Sequence, residues 1–233
     1  MSSPTAPEAP KTRKDQMAWG VAATSEPRWP ASLATCLAAL LNFLLPGKFT
    51  LGPPWLFAVL EMAIIVPLYI SAPRRLPHEA KWQQMAAVVL IALVNVANIS
   101  SLVLLVRTLL YNGKSVTGPE LLFSSIAIWV TNVIVFGLWY WEIDRGGPDD
   151  RLRRDHNQPD FLFPQMQTPG CTVHDWTPAF FDYLYVAFTN ATAFSPTDTM
   201  PLTPTAKMLM LIQAVISVLT ITLVAARAVN ILT

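Results

Sequence analysis

Glu61 is a carboxylate seven residues into an apolar run that begins at Pro54. At that depth in hydrocarbon an ionised group is expensive. It marks either a functional charge with a buried partner or a protonated or snorkelling side chain near the interface. Asn95 and Asn98, three apart on a later apolar run, share one helix face. With Ser100, Ser101, Thr131 and Asn132 they either line a polar pathway or hydrogen-bond between helices. Gln213, Ser217 and Thr220 follow at spacings of four and three in the last apolar run and also share a face. Cys171, His174 and Asp175, with Asp155 and His156, are of the types that ligate metals, but their spacing matches no zinc pattern. No metal site and no cofactor are expected. Ser195 precedes a proline and has no His–Asp pair near it, which argues against a nucleophile. With no phosphate loop or dinucleotide fingerprint either, an enzyme is not expected.

The elements that must position these groups are apolar helices. Of the 233 residues, 53% are hydrophobic and 13% charged, where soluble domains carry about a quarter charged. Mean hydropathy is +0.41. Two cysteines exclude a disulfide scaffold, and a net charge of +1 offers nucleic acid no basic surface. The composition is that of an integral membrane protein, with the lipid bilayer as its first partner. Residues 1–28 are polar and proline-rich and are expected to form a disordered tail. Apolar runs at Trp29–Pro46, Pro54–Ala72, Gln83–Tyr111, Pro119–Trp141 and Pro204–Thr233 predict an all-α fold of about five transmembrane helices, the first of them short. Pro46-Gly47, Asn112-Gly113 and Gly118-Pro119 punctuate the runs, and Pro67 should bend the second. The stretch Glu142–Asp160, with Arg145, Arg151, Arg153 and Arg154, reads as a solvated loop. Trp29, Trp55, Trp82, Trp139, Trp141 and Trp176 fall near run ends, as interfacial anchors do.

In the last quarter of the chain four features follow in order. They are a short helix at Asp182–Phe188, the step Thr189-Asn190-Ala191-Thr192, the exit Asp198-Thr199-Met200-Pro201, and an apolar helix ending Leu223-Val224-Ala225-Ala226-Arg227. This order resembles the pore module of tetrameric potassium channels. The apolar runs then give three N-terminal transmembrane helices over 29–118, and the resemblance implies a channel-like module over 119–233. That module would have an outer helix at 119–141, a loop at 142–176, a re-entrant pore helix at 177–194, a filter-like turn at 195–203 and an inner helix at 204–233. It further implies a homotetramer passing monovalent cations, with Gln213, Ser217 and Thr220 lining the pore; without the resemblance, that face is helix packing. The filter itself departs from the family's Thr-Val-Gly-Tyr-Gly, reading Ala193-Phe194-Ser195-Pro196-Thr197. Carbonyl-lined filters need backbone angles that glycine reaches freely and proline forbids, so potassium selectivity is not expected. Thr189, Thr192 and Ala193–Asp198 form the filter-like set, and conduction would then depend on Thr192, Ser195, Thr197 and Asp198, the aspartate supplying a ring of negative charge. The alternative is a non-conducting scaffold or accessory subunit in which Phe194 and Pro196 plug the axis.

The stretches Phe136–Pro148 and Asp160–Met166 also resemble a group of uncharacterised bacterial membrane proteins, which implies a multi-pass protein of the bacterial inner membrane and brings no activity. Orientation is contested. Lysines and arginines concentrate on the side of the amino terminus and the 142–176 loop, which the positive-inside rule places in the cytoplasm. The channel resemblance implies an outward loop.

Overall fold

The computed structural model describes residues 28–52, 55, 59, 81–112, 116–148, 151, 158–167, 176–192 and 199–232. Five helices account for most of them: α1 (Trp29–Leu44), α2 (Lys81–Asn112), α3 (Gly118–Ile143), α4 (Phe180–Thr192) and α5 (Pro204–Leu232). A single helical turn spans Pro164–Gln167. Two short strands, β1 (Phe161–Leu162) and β2 (Met200–Pro201), pair antiparallel with Phe161 opposite Pro201, a small departure from an all-helical chain.

Three helices are long and apolar enough to cross a membrane: Gln84–Tyr111, Gly118–Gly146 and Pro204–Ala226. With 16 residues, α1 is about 24 Å long, short of the roughly 30 Å hydrocarbon core. The expected count of about five crossings is therefore three among the described residues. The predicted second run lies outside them except for Trp55 and Val59, both exposed. Pro67, Glu61 and residues 1–27 of the expected tail lie outside them as well.

Helix ends follow local chemistry. The α2 helix stops at Asn112, and α3 starts at Gly118 behind an extended Thr117, with Pro119 in its first turn and Glu120 placed to complement the helix dipole. The far end of α3 is closed by three successive residues at positive φ: Arg145 at 56°, Gly146 at 84° and Gly147 at 100°. A Cβ at Gly147 would lie 2.9 Å from Gln84 Nε2 and 3.0 Å from Glu142 O, so this turn needs glycine on both counts.

The centre of the bundle is α3. It packs against α1, α2, α4 and α5. Of its apolar window 72% is buried, against 44% for α2 and 22% for α5. Polar contacts set its ends. Lys48 reaches Glu120 at 2.8 Å beside the start of α3, and Gln84 Nε2 donates to Gly146 O at 2.7 Å beside its finish. Helices α1 and α2 thus both run antiparallel to α3. The loop expected to be solvated is internal where it meets this end. Asp144 is 0% exposed, and Arg145 and Arg151 are each 5% exposed. Trp141, expected at the interface, is buried under Arg151 and Phe180.

Candidate functional site

The short helix α4 is positioned by contacts that step down α3. Tyr183 meets Asp144 at the end of α3, Leu184 packs on Gly137, and Phe188 stands edge-on to Trp129 at 5.8 Å. Residue numbers rise along α4 as they fall along α3, so the two are antiparallel. Thirteen residues give α4 about 20 Å, enough to reach only part-way along α3. The chain then returns, because Met200 and Pro201 pair with β1 beside Asp144 before α5 begins at Pro204. A half-length helix enters and leaves at the same end of the bundle. Its close approach depends on Gly137, where a Cβ would lie 3.2 Å from Leu184 Cα. Gly137→Leu is expected to force α4 outward at about 1–3 kcal/mol, read as a lowered unfolding midpoint in detergent; an unchanged midpoint would refute the close fit.

Two polar clusters hold this arrangement. The first centres on Gln213, which is fully buried. Its Oε1 accepts from Tyr140 Oη at 2.6 Å and Asn190 Nδ2 at 2.7 Å, and its Nε2 donates to Ala187 O at 2.7 Å. Asn190 Nδ2 also donates to Met210 O at 2.9 Å. Asn132 Nδ2 donates to Ser217 Oγ at 2.8 Å and to Gln213 O at 3.3 Å. Three helices, α3, α4 and α5, are thereby joined at mid-bundle, with the Gln213 amide paired at both its oxygen and its nitrogen, as an apolar interior demands.

The second cluster centres on Asp144, at the end of α3. Asp144 Oδ1 accepts from the backbone N–H of Asp160 at 2.8 Å and of Phe161 at 3.3 Å. Its Oδ2 accepts from Tyr183 Oη at 2.6 Å and lies 3.4 Å from Arg145 Nε. Arg151 Nη1 donates to the carbonyls of Trp141 and Asp144, and its guanidinium covers the Tyr183 ring at 5.2 Å. Asp160 Oδ2 accepts from Arg145 N–H at 3.1 Å, and its Oδ1 accepts from the Thr203 hydroxyl. Thr203 Oγ1 in turn caps α5 by accepting from Ala206 N–H at 3.3 Å. Two carboxylates and two guanidiniums balance in charge, which makes burial tolerable. This cluster ties the end of α3, β1, the start of α4 and the start of α5 into one joint.

The positions singled out in sequence fall as follows. Gln213, Ser217 and Thr220 are 0%, 1% and 1% exposed, with their side chains inside the chain. Thr220 Oγ1 bonds back to Ile216 O at 2.8 Å. The hydroxyls of Thr189 and Thr192 also turn back, onto carbonyls of α4 itself. Ala193, Phe194, Ser195, Pro196, Thr197 and Asp198 lie outside the described residues, as does Glu61. Asn98 is fully buried and Asn95 half-buried on α2. Among the described residues no group of His, Cys, Asp and Glu could hold a metal ion. Sequence reasoning assigned no role to Tyr140, Asp144, Arg151, Asp160, Tyr183 or Thr203. The one local signal was the Asp144-Arg145-Gly146-Gly147 turn, whose paired glycines mark backbone that other residues resist. No protein-family model, no curated protein and no solved structure matches this chain.

Proposed function

We propose that the chain is a multi-pass membrane protein with a pore-loop module in its C-terminal half, passing monovalent cations through an atypical, non-potassium-selective turn at Ala193–Asp198. The observation that carries this is α4. It is a half-length helix between two long antiparallel ones, entering from the Asp144 end, stopping near the level of Trp129 and returning to the same end at Met200. Non-helical backbone at membrane depth survives only where protein or an aqueous cavity surrounds it, and a re-entrant pore helix is that case. Five crossings are part of this proposal, and what supports them is that Lys48 sits at one end of α3 and Gln84 at the other. Phe181, Tyr185 and Phe188 form an exposed aromatic stripe on α4, which a neighbouring copy would cover in a homotetramer of the bacterial inner membrane.

The inward face of α5 favours a second reading. Gln213, Ser217 and Thr220 serve helix packing, and every exposed side chain from Met208 to Ile221 is apolar. That suits a non-conducting scaffold or accessory subunit with a channel-like fold. Flux into proteoliposomes separates the two. Wild type is expected to pass cations, and Asp198→Asn to lose flux or cation preference. An unchanged Asp198→Asn flux would remove the turn from the pathway. No flux at any voltage or pH, from protein shown to be folded and oligomeric, would establish the scaffold.

A further inference from the structure

The seam where α1, α2 and α3 pack carries buried polar atoms with no hydrogen-bond partner among the described residues. Asn98 is 0% exposed, and both its Oδ1 and its Nδ2 are of this kind. The same is true of Asn95 Oδ1, Asn132 Oδ1, Ser124 Oγ, Ser125 Oγ and Asn42 Nδ2. Buried polar groups are almost always satisfied by protein or by ordered water, and orphans in an apolar interior are rare. Here seven such atoms fall on three adjoining helices, while the neighbouring Gln213 amide is paired at both its oxygen and its nitrogen.

Register places them in a series. The α2–α3 pair is pinned by Gln84 on Gly146 at one end and by the short link from Asn112 to Gly118 at the other. In that register Asn98 is level with Asn132 and Asn95 with Val135. Ser124 and Ser125 lie about 10 Å further along α3, at 1.5 Å per residue. Asn42 lies near the end of α1 that leads to Lys48, and Lys48 reaches Glu120 at the end of α3 that also carries these serines. The intervening wall is apolar and buried, with Val94, Leu102, Leu105 and Ile128 each 4% exposed or less. Those side chains can donate or accept nothing.

We propose that this seam holds a file of buried waters, bound by Asn95, Asn98 and Asn132 at mid-bundle and by Ser124, Ser125 and Asn42 one step beyond. Each site offers the two to four polar partners that an internal water requires. Among the described residues the lining is neutral amide and hydroxyl, which can both donate to and accept from water. The file lies inside one chain and stands independently of the pore-loop reading.

Radiolytic labelling in ¹⁸O water tests it on the full-length protein in detergent, because hydroxyl radicals made from bound water oxidise adjacent side chains. Val94 and Leu102, and separately Ile128, are expected to be labelled despite their burial. Asn98→Leu should abolish labelling of Val94 and Leu102. Ser124→Ala with Ser125→Ala should abolish it at Ile128 only. If Asn98→Leu fails to fold, Asn98→Ser, which keeps a polar atom but fewer of them, should reduce the label. Protection of Val94 and Leu102 in wild type would overturn the proposal and mean that other parts of the chain cover these atoms. Labelling that persists unchanged in the folded variants would overturn it too, since the water would then not be held by these residues.

Discussion

Asp144→Ala is expected to cost the folded protein about 3–5 kcal/mol, because it removes one side of a buried ion pair. More than charge is lost. The backbone N–H groups of Asp160 and Phe161 and the Tyr183 hydroxyl all lose their acceptor at once. These belong to β1 and to the start of α4, so the damage falls on the joint that aims the half-length helix. Asp144→Asn should cost less. Its oxygen still serves the two backbone donors, while its amide cannot accept from Tyr183. Tyr183→Phe removes a single hydrogen bond and should cost about 1–3 kcal/mol. Unfolding of the purified protein by SDS in mixed micelles, with α-helical ellipticity as the signal, would rank the three. A loss below about 1 kcal/mol for Asp144→Ala would show that the cluster is hydrated and behaves as a surface pair.

Gln213→Leu is expected to destabilise by about 1–3 kcal/mol for each group it strands in the interior. Tyr140 Oη loses its Gln213 acceptor, whereas Asn190 keeps its bond to Met210 O. The volume change is small, so the loss reports polar pairing and not a cavity. The asymmetry of hydrogen-bond energetics gives a sharper form. Removing one partner leaves the other unsatisfied, whereas removing both is nearly neutral. Tyr140→Phe should therefore cost clearly less in the Gln213→Leu background than in wild type, with a coupling of roughly 1 kcal/mol or more. Strict additivity of the two substitutions would mean that the Tyr140–Gln213 contact contributes nothing. In the pore-lining alternative Gln213 faces an aqueous axis, and its leucine variant would change conductance with little effect on stability.

The boundaries of α3 and the start of α5 were legible in the sequence because their causes are local. Gly118-Pro119, Asn112-Gly113 and Pro204 act through steric limits on their own backbone. The antiparallel placement of the final helices was also within reach, since a short helix between two apolar runs leaves few arrangements. That Gln213, Ser217 and Thr220 share a face follows from helical spacing alone. Which neighbour that face meets does not. Periodicity fixes an angle about one helix axis, and only the packing of α3 and α4 turns that angle inward. The arginines of the 142–160 stretch read as solvated because a run of charge is most cheaply placed in water. Arg145 and Arg151 meet groups close in sequence, but the aspartates of that joint are tied to residues far along the chain. Asp144 meets Tyr183 across 39 positions, and Thr203 meets Asp160 across 43.

What the sequence determined by itself was the class of solvent and the positions where helices must stop, because apolar content and backbone sterics are properties of short segments. What only the tertiary structure decided was where the polar groups go. In an apolar interior each carboxylate, guanidinium and amide must find its complement, and a complement 40 or 80 residues away becomes visible only once the chain has brought the two together.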